Sequence, residues 1–430
     1  MQKSITEYYK LPENYLTFNI SEQDDGRDRF FHLNKILCFG KSAAHETASV
    51  ITGDNCISLS TDLNSIIDNL RLERYAASEN RIFYKSFYIE FYYKIRPYLP
   101  DYFRHKLQKF SMRKWKKISF PHFPVDTTVE DIFESIIVQL LKYNNNKPIP
   151  FIWFWPEGKK GCLLMTHDIE EEAGLNFCPE MMDIDSSFDI KSSFQAVPEK
   201  RYKITAEDVK AFSVRGFEVL LHGLNHDGKL FSNKEIFLER IKKIHRYAER
   251  WKVNGFRSPI MYRNLDWYEY FNFKYDMSVP NNANIEPQKG GCCTVMPYKI
   301  ANLLEIPLTT MQDHPLYYYL KDHTVSLWQR QVDIILKKYG LLSFSIHPDY
   351  TIPAKAKENY KRLLSYLAEL RETSNLWNAL PAEIYEWWTA RNLMLLVNKN
   401  GKWEIEGDNT GKARIAYMKL ENGNLVFTVE

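Results

Sequence analysis

Hydrophobic and polar positions along the chain fall into three regimes. Up to about residue 145 the apolar residues recur mainly with helical spacing, after an irregular start and a short candidate strand at Ile36–Phe39. The run Val129–Tyr143 predicts a helix, and Asn144-Asn145-Asn146-Lys147-Pro148 ends it. From Ile149 to about Arg391, short apolar runs alternate with amphipathic stretches. The runs predict strands at Gly161–Thr166, Ser192–Val197, Phe217–His222, Val253–Arg257, Lys274–Ser278, Leu303–Pro307 and Leu341–His347. Helices are predicted between them at Thr205–Arg215, Asn233–Trp251, Thr324–Tyr339 and Ala354–Arg371. This βαβα rhythm predicts an α/β fold of parallel strands flanked by helices, as an open sheet or a barrel. In such folds chemistry collects at the carboxyl ends of the strands.

Beyond Arg391 the period changes to two, at Trp403–Ile405, Ala413–Met418 and Leu425–Val429, with turn clusters at Asp408–Gly411 and Glu421–Asn424. That is a small antiparallel β unit, either an accessory for carbohydrate or a packing cap. The expected organisation is therefore a mainly helical N-terminal region (1–148), an α/β unit (149–390) and a small β unit (391–430).

Composition narrows the function classes. With 44% hydrophobic and 26% charged residues in 430, long disorder is excluded, and 57 Lys+Arg against 54 Asp+Glu gives no global attraction for nucleic acid. Charge matters locally. Asp101 can cap a helix in which Arg104, Lys106, Lys109, Arg113, Lys114, Lys116 and Lys117 interleave with Leu107, Phe110 and Trp115, beyond the aromatic-rich stretch Arg81–Tyr98. Arg104–Lys117 is thus a candidate for peripheral contact with an anionic membrane, although a solvated basic face with an apolar stripe on the core has the same pattern. The densest apolar patch, Phe151–Trp155, stops at Pro156 and reads as buried strand, so no run reaches the ~18 residues of a membrane span. Met1–Glu7 lacks the apolar core of a secretory signal, which makes a cytoplasmic, at most membrane-peripheral, location the expectation. The six cysteines (Cys38, Cys56, Cys162, Cys178, Cys292, Cys293) form no CxxC and are expected as reduced, buried thiols, with Cys292 and Cys293 on opposite faces of a strand.

Candidate chemistry sits at the strand ends. Leu163-Leu164-Met165 runs into Thr166-His167-Asp168-Ile169-Glu170, where Asp168 and Glu170 share a strand face while His167 and Ile169 point away. Two converging carboxylates repel unless a cation or an arginine lies between them. By itself the pair is weak, since Glu171 and Glu172 extend it into what reads as a solvated acidic loop. Val219-Leu220-Leu221 leads into His222-Gly223-Leu224-Asn225-His226. Histidines four apart meet on one face if the chain turns helically, and two imidazoles with a carboxylate make a facial site for a divalent ion. Arg257-Ser258-Pro259 follows the next unit, and the last predicted strand delivers His347-Pro348-Asp349.

The ordered set of acidic pair, HxxxH, RxP and late strand histidine resembles that of the polysaccharide deacetylases, the NodB-homology or carbohydrate esterase family 4 group. Thr166–Glu170, His222–His226, Arg257–Ile260, Tyr275–Ser278 and Ile346–Pro348 stand where that family has its five motifs, over roughly Lys160–Glu386. The resemblance implies a deformed (β/α) barrel of about seven parallel strands, the number predicted above. It also implies a carbohydrate substrate, loss of an N-acetyl group from an amino sugar, and one divalent metal ion, zinc first, with cobalt or manganese as alternatives. By position His222 and His226 would be metal ligands, Asp168 the general base, Arg257 its orienting partner and His347 the general acid. Ile169 stands where the family has a metal-binding aspartate, so Glu170 becomes the substitute ligand. Asp168 as ligand, with the base elsewhere, is the alternative. The backbone N–H of Ile260 would face an oxyanion, and Asp276 would either tune His347 or cap a strand. Two rival functions stay open: a non-catalytic glycan-binding protein on the same scaffold, and a hydrolase of another non-peptide C–N bond.

Overall fold

The computed structural model describes residues 3–12, 17–19, 31–32, 49–53, 56–59, 63–76 and 115–430. It divides into two compact units, one made of Ala76–Asp126 and Lys160–Tyr385 and the other of Met1–Tyr75, Thr127–Lys159 and Glu386–Glu430.

The first unit is built on nine strands: β1 (Gly161–Ile169), β2 (Ser192–Ala196), β3 (Glu218–His222), β4 (Gly255–Arg257), β5 (Tyr275–Asp276), β6 (Tyr298–Ile300), β7 (Leu303–Glu305), β8 (Leu341–Ser345) and β9 (Leu376–Asn378). Their order is β6-β7-β5-β4-β3-β2-β1-β8, with β9 also on β1, and every pairing is parallel except β6 with β7. All nine residues of β1 are buried, which is why GCLLMTHDI reads as a nearly continuous apolar run: helices cover one face and the barrel interior the other. The helices are α1 (Glu172–Ser187), α2 (Ala206–Val214), α3 (Lys234–Trp251), α4 (Ser326–Leu336), α5 (Pro348–Thr351) and α6 (Ala354–Thr373). α2 starts at a capping box between Thr205 and Asp208, and α3 buries Phe237, Ile241, Ile244, Ala248 and Trp251 at helical spacing.

The ladder ends at β6 on one side and β8 on the other. Between β7 and β8 the gap is bridged by two threonines. Thr309 Oγ1 donates to Leu341 O at 2.6 Å and accepts from Ser343 N at 2.9 Å, while Thr310 N and Oγ1 both donate to Ser343 O, at 3.1 and 2.7 Å. The result is a deformed barrel whose closing seam uses a few threonine hydrogen bonds in place of a strand ladder. The seven predicted strands are β1 to β5, β7 and β8, in order. β6 and β9, three residues each, are too short to show a period. The acidic stretch at Glu172 opens α1 instead of a loop, as an anion does well at a helix N-terminus.

The second unit alters the expected boundary. Ile149–Ile152 pairs antiparallel with Ile415–Glu421, not with β1, so 149–159 belong with the C-terminal strands and the barrel begins at Lys160. Two hairpins, Leu395–Lys399 with Lys402–Glu406 and Ile415–Glu421 with Asn424–Val429, turn on Asn400-Gly401 and Asn422-Gly423. Positive φ at all four positions (53, 85, 52 and 82°) matches the primed turn that an Asn-Gly pair favours. Besides helices Lys3–Tyr9, Leu63–Arg71 and Thr128–Tyr143, the described N-terminal residues form a short four-stranded sheet (Thr17–Asn19, Phe31–His32, Ser49–Gly53, Cys56–Leu59). Arg391, fully buried, gathers this unit by donating to Trp153 O, Ile152 O and Tyr8 O at 2.7–3.0 Å.

The strand expected at Ile36–Phe39, the aromatic stretch Arg81–Tyr98, the side chains of Cys38 and Cys56, and the basic helix Arg104–Lys117 except Trp115–Lys117 lie outside the described residues. Among the described residues no helix is long and apolar enough to cross a membrane. Cys162, Cys178, Cys292 and Cys293 are buried thiols. Cys292 and Cys293 sit outside any strand, with Cys293 at φ 54°, so they are not separated by strand alternation as expected.

Candidate active site

The site gathers at the carboxyl ends of β1, β3, β4 and β8. On β1 the period of two holds to the end of the strand. Asp168 and the following Glu170 face the barrel mouth. His167 points the other way, with Nδ1 2.9 Å from Ile346 O and Nε2 2.9 Å from Asp185 Oδ2.

Arg257, the last residue of β4, is fully buried and ties the strand ends together. Nε donates to Met277 O at 3.0 Å, and Nη1 donates to Thr166 Oγ1 at 2.7 Å, Asp168 Oδ1 at 2.9 Å and Ser345 Oγ at 3.3 Å. Burial alone would raise the Asp168 carboxyl. The charges of Arg257, then His222 and His347, outweigh it and hold the carboxyl at about 2. Asp168 is therefore ionised at neutral pH although almost wholly buried.

His222 ends β3, and Gly223 then turns with φ 66° so that the chain folds back under the Arg257-Ser258-Pro259 corner. A Cβ on Gly223 would lie 2.5 Å from Pro259 Cγ, so only glycine fits. The turn brings His226 round to face His222, ring centroids 5.1 Å apart. Ligand atoms of Glu170, His222 and His226 all lie within 4.8 Å of one another, and Asp168 is not in that set. His222 Nδ1 lies 3.2 Å from Arg257 O, which requires the proton on Nδ1 and leaves the Nε2 lone pair for the cluster. Burial, its largest influence, brings His222 down to about 4, so the ring is neutral as a ligand must be. His226 Nε2 is buried, lies 3.0 Å from Glu170 Oε1, and makes no hydrogen bond. A buried imidazole nitrogen without a hydrogen bond, the neutral His222 ring and a carboxylate facing one point are the donor set that a divalent ion fits.

Glu170 is placed from both ends. Its backbone N donates to Asp349 Oδ2 at 3.0 Å, while Asp349 Oδ1 accepts from Gly174 N at 2.9 Å. Tyr350 Oη donates to Glu170 Oε2 at 2.9 Å, leaving Oε1 toward His226. Burial raises the Glu170 carboxyl, but the histidines, His226 first, hold it well below its ordinary value.

His347 stands just before α5 and is gripped by Asp313 twice: Nδ1 lies 2.6 Å from Oδ1 and its backbone N donates to Oδ2 at 2.9 Å. Burial would lower this imidazole. The Asp313 charge and hydrogen bond overcome it and push it up to about 10. Its Nε2 lies 4.0 Å from Asp168 Oδ2 and 3.9 Å from Glu170 Oε1, and His222 Nε2 is also 4.0 Å from Asp168 Oδ2.

One expected residue is placed away from His347. Asp276 is not the partner of His347. In the β5–β7 register it stands opposite Glu305, and it accepts from Ser278 Oγ at 2.7 Å. Burial raises both carboxyls of that pair, and Asp276 raises Glu305 further. Ile260 is half-buried in the turn after Arg257, with φ 61°, an unusual value for a β-branched residue. Asp313, Asp349, Tyr350 and Arg201 complete the site without having been assigned a role from sequence. Asp313-His314-Pro315 repeats the polar-residue-then-proline pattern of His347-Pro348, and Tyr350 is one helical turn past His347. Those were the available signals; Arg201, in the β2–α2 loop, had none.

No family model and no curated protein matches the chain. Solved structures do. The chain is similar to a protein of Mycobacterium smegmatis named as a polysaccharide deacetylase, at 18% identity over 58% of this chain and 98% of that one, with a TM-score of 0.43. It is similar to one of Pseudomonas aeruginosa with the same name, at 14% identity, 58% and 96% coverage and a TM-score of 0.42. An allantoinase is similar at 15% identity, 55% and 92% coverage and a TM-score of 0.41. At such identities the chemistry of this chain is read from its own side chains.

Proposed function

We propose that the barrel is a metal-dependent hydrolase that removes an N-acetyl group from an amino sugar of a surface polysaccharide or its precursor. The observation that carries this reading is one arrangement. A Glu170–His222–His226 donor set adjoins an ionised Asp168, whose Oδ2 lies 4.0 Å from His222 on one side and 4.0 Å from a protonated His347 on the other. A divalent ion in the donor set, zinc first and cobalt or manganese next, would polarise the acyl oxygen and acidify a water molecule.

The remaining work falls to the protein. Asp168, kept anionic and aimed by Arg257, accepts the proton of the attacking water as the new C–O bond forms. Ile260, through its backbone N–H, is the proposed donor to the developing oxyanion. His347 then gives its Nε2 proton to the nitrogen as the C–N bond breaks, releasing acetate and a free amine, and Asp313 stabilises the imidazolium beforehand. Loss of either proton-transfer group should cost roughly 10²–10⁴ in rate.

The test is elemental analysis of the purified chain beside His222→Ala and His226→Ala, with acetate release from N-acetylated oligosaccharides measured with added zinc, cobalt or manganese. Bound metal lost in both variants, together with acetate production, is the expected result. A chain that binds no divalent ion and releases no acetate is not this enzyme, and the glycan-binding alternative takes its place. Metal without acetate directs the search to other C–N bonds.

A further inference from the structure

Between β7 and α4, three consecutive side chains go to three places. Asp313 grips His347, Gln312 Nε2 donates to Glu286 Oε1 at 2.9 Å, and the His314 ring packs on Tyr350 with centroids 5.4 Å apart. Adjacent Cα atoms stand only ~3.8 Å apart, so Gln312 and the carboxylate it holds border the His347 side of the site. Glu286 itself comes from the loop between β5 and β6, which is tied at its base: Ala283 N donates to Gly290 O at 2.8 Å, and Lys289 Nζ donates to Asn284 O at 3.0 Å and to Glu286 O at 2.8 Å. The side chain is half-buried and lines a recess with Ile285, Leu308, Thr309, Thr310 and Met311, at the threonine seam. Glu286 Oε2 and Gln312 Oε1 make no hydrogen bond among the described residues. Burial pushes the Glu286 carboxyl up to about 7, against the Gln312 hydrogen bond and the charges of Lys289, Arg263 and His347. A poorly hydrated acceptor of this kind gains from a donor brought by a ligand. Lys289 and Arg263 already supply positive charge, which favours a neutral hydroxyl over an ammonium group.

We propose that Glu286 is a specificity-determining residue: Gln312 holds one of its carboxylate oxygens, and the other accepts a hydrogen bond from the sugar hydroxyl beside the acetamido group. This rests on the reading of the barrel as an amino-sugar deacetylase. His347 gives its proton to the leaving nitrogen, so that nitrogen lies on the side of the site that Gln312 and Glu286 border, and the vicinal hydroxyl is the donor nearest to it. The contact is made to the sugar in both the bound substrate and the transition state, so it sets binding and leaves the chemical step to Asp168 and His347.

The test is acetate release by the full chain with added zinc, from di-N-acetylchitobiose and from its counterpart lacking the hydroxyl beside the reacting acetamido group. Glu286→Gln still accepts from Gln312 Nε2, so its thermal melt should match the wild type, while its KM for the complete sugar should rise about 10–100-fold, the reach of a hydrogen bond to a charged group, with kcat changed less than threefold. On the sugar lacking the hydroxyl, wild type and Glu286→Gln should give the same KM, a pattern that a purely structural role would not produce. Glu286→Asp, which keeps the carboxylate one methylene short, should lie between on the complete sugar, and it carries the comparison if Glu286→Gln does not fold. An unchanged KM in Glu286→Gln, or an equal loss on both sugars, overturns the proposal and leaves the deacetylase reading standing. Acetate from neither sugar nor any other N-acetylated oligosaccharide, even in the wild type, removes both, a different result from a deacetylase that ignores Glu286.

Discussion

Arg257→Met offers the sharpest test of how the site is held together. Asp168 is nearly devoid of solvent, and its carboxyl sits at about 2 where an ordinary aspartate sits at 3.8. At ~1.4 kcal/mol per pH unit that depression is worth roughly 2.5 kcal/mol of folding free energy. Because the folded-state value is lowered, this contribution is complete above pH 3.8 and is lost as pH falls through about 2. Taking away the guanidinium leaves an anion buried without its partner, a change that typically costs about 3–5 kcal/mol. It also lifts the carboxyl from about 2, since the first charge opposing burial is gone and only His222 and His347 remain, so the variant keeps less of the stability that the wild type gains as pH rises above about 2. Urea denaturation of the chelated protein, followed by near-ultraviolet circular dichroism from pH 2.5 to 7.5, reads both effects. Arg257→Met with Asp168→Asn should recover about 2 kcal/mol of the loss at pH 7, because the stranded charge is gone. A variant within ~1 kcal/mol of wild type at pH 7 and with the wild-type slope at low pH would show that Arg257 is not what keeps Asp168 ionised.

Asp313→Asn should lower the His347 imidazole from about 10, since the largest influence opposing burial is gone and only Glu170 and Asp168 still raise it. A ring titration by NMR checks it, and the proposed deacetylation should fall ~10²-fold or more at pH 7. In the wild type this raised value stabilises the fold below pH 6.5 and the benefit fades as pH rises through about 10, so the variant should lose that alkaline loss of stability; a His347 still titrating near 10 refutes the assignment. Gly174→Ala places a Cβ 2.3 Å from Asp349 Oδ2, the carboxylate that holds the Glu170 backbone. A thermal melt and a zinc titration should show about 1–3 kcal/mol of destabilisation together with weaker binding, and wild-type values in both would mean that Glu170 does not depend on this brace.

Much of the barrel was legible in the chain. Apolar runs and helical stripes are local properties, so the order of strands and helices, and the strand ends on which His222, Arg257 and His347 ride, follow from residue spacing alone. The same locality put Asp168 and Glu170 on one face and turned His167 to the other, because alternation along β1 needs no partner. What spacing could not decide were the pairings across the fold. Both carboxylates of β1 face the mouth, and Glu170 falls to the histidine pair because Arg257, arriving from β4, takes Asp168. His347 belongs to Asp313 because the threonine seam brings the chain after β7 alongside β8, whereas the β5–β7 register gives Asp276 to Glu305. Ile149–Ile152 was counted with the barrel from residue 149 on and is instead a partner of Ile415–Glu421. A strand's apolar pattern states that it will be buried and leaves open by what. For the same reason the sequence carries the chemistry of each histidine, while the neighbours that orient it are supplied only by folding.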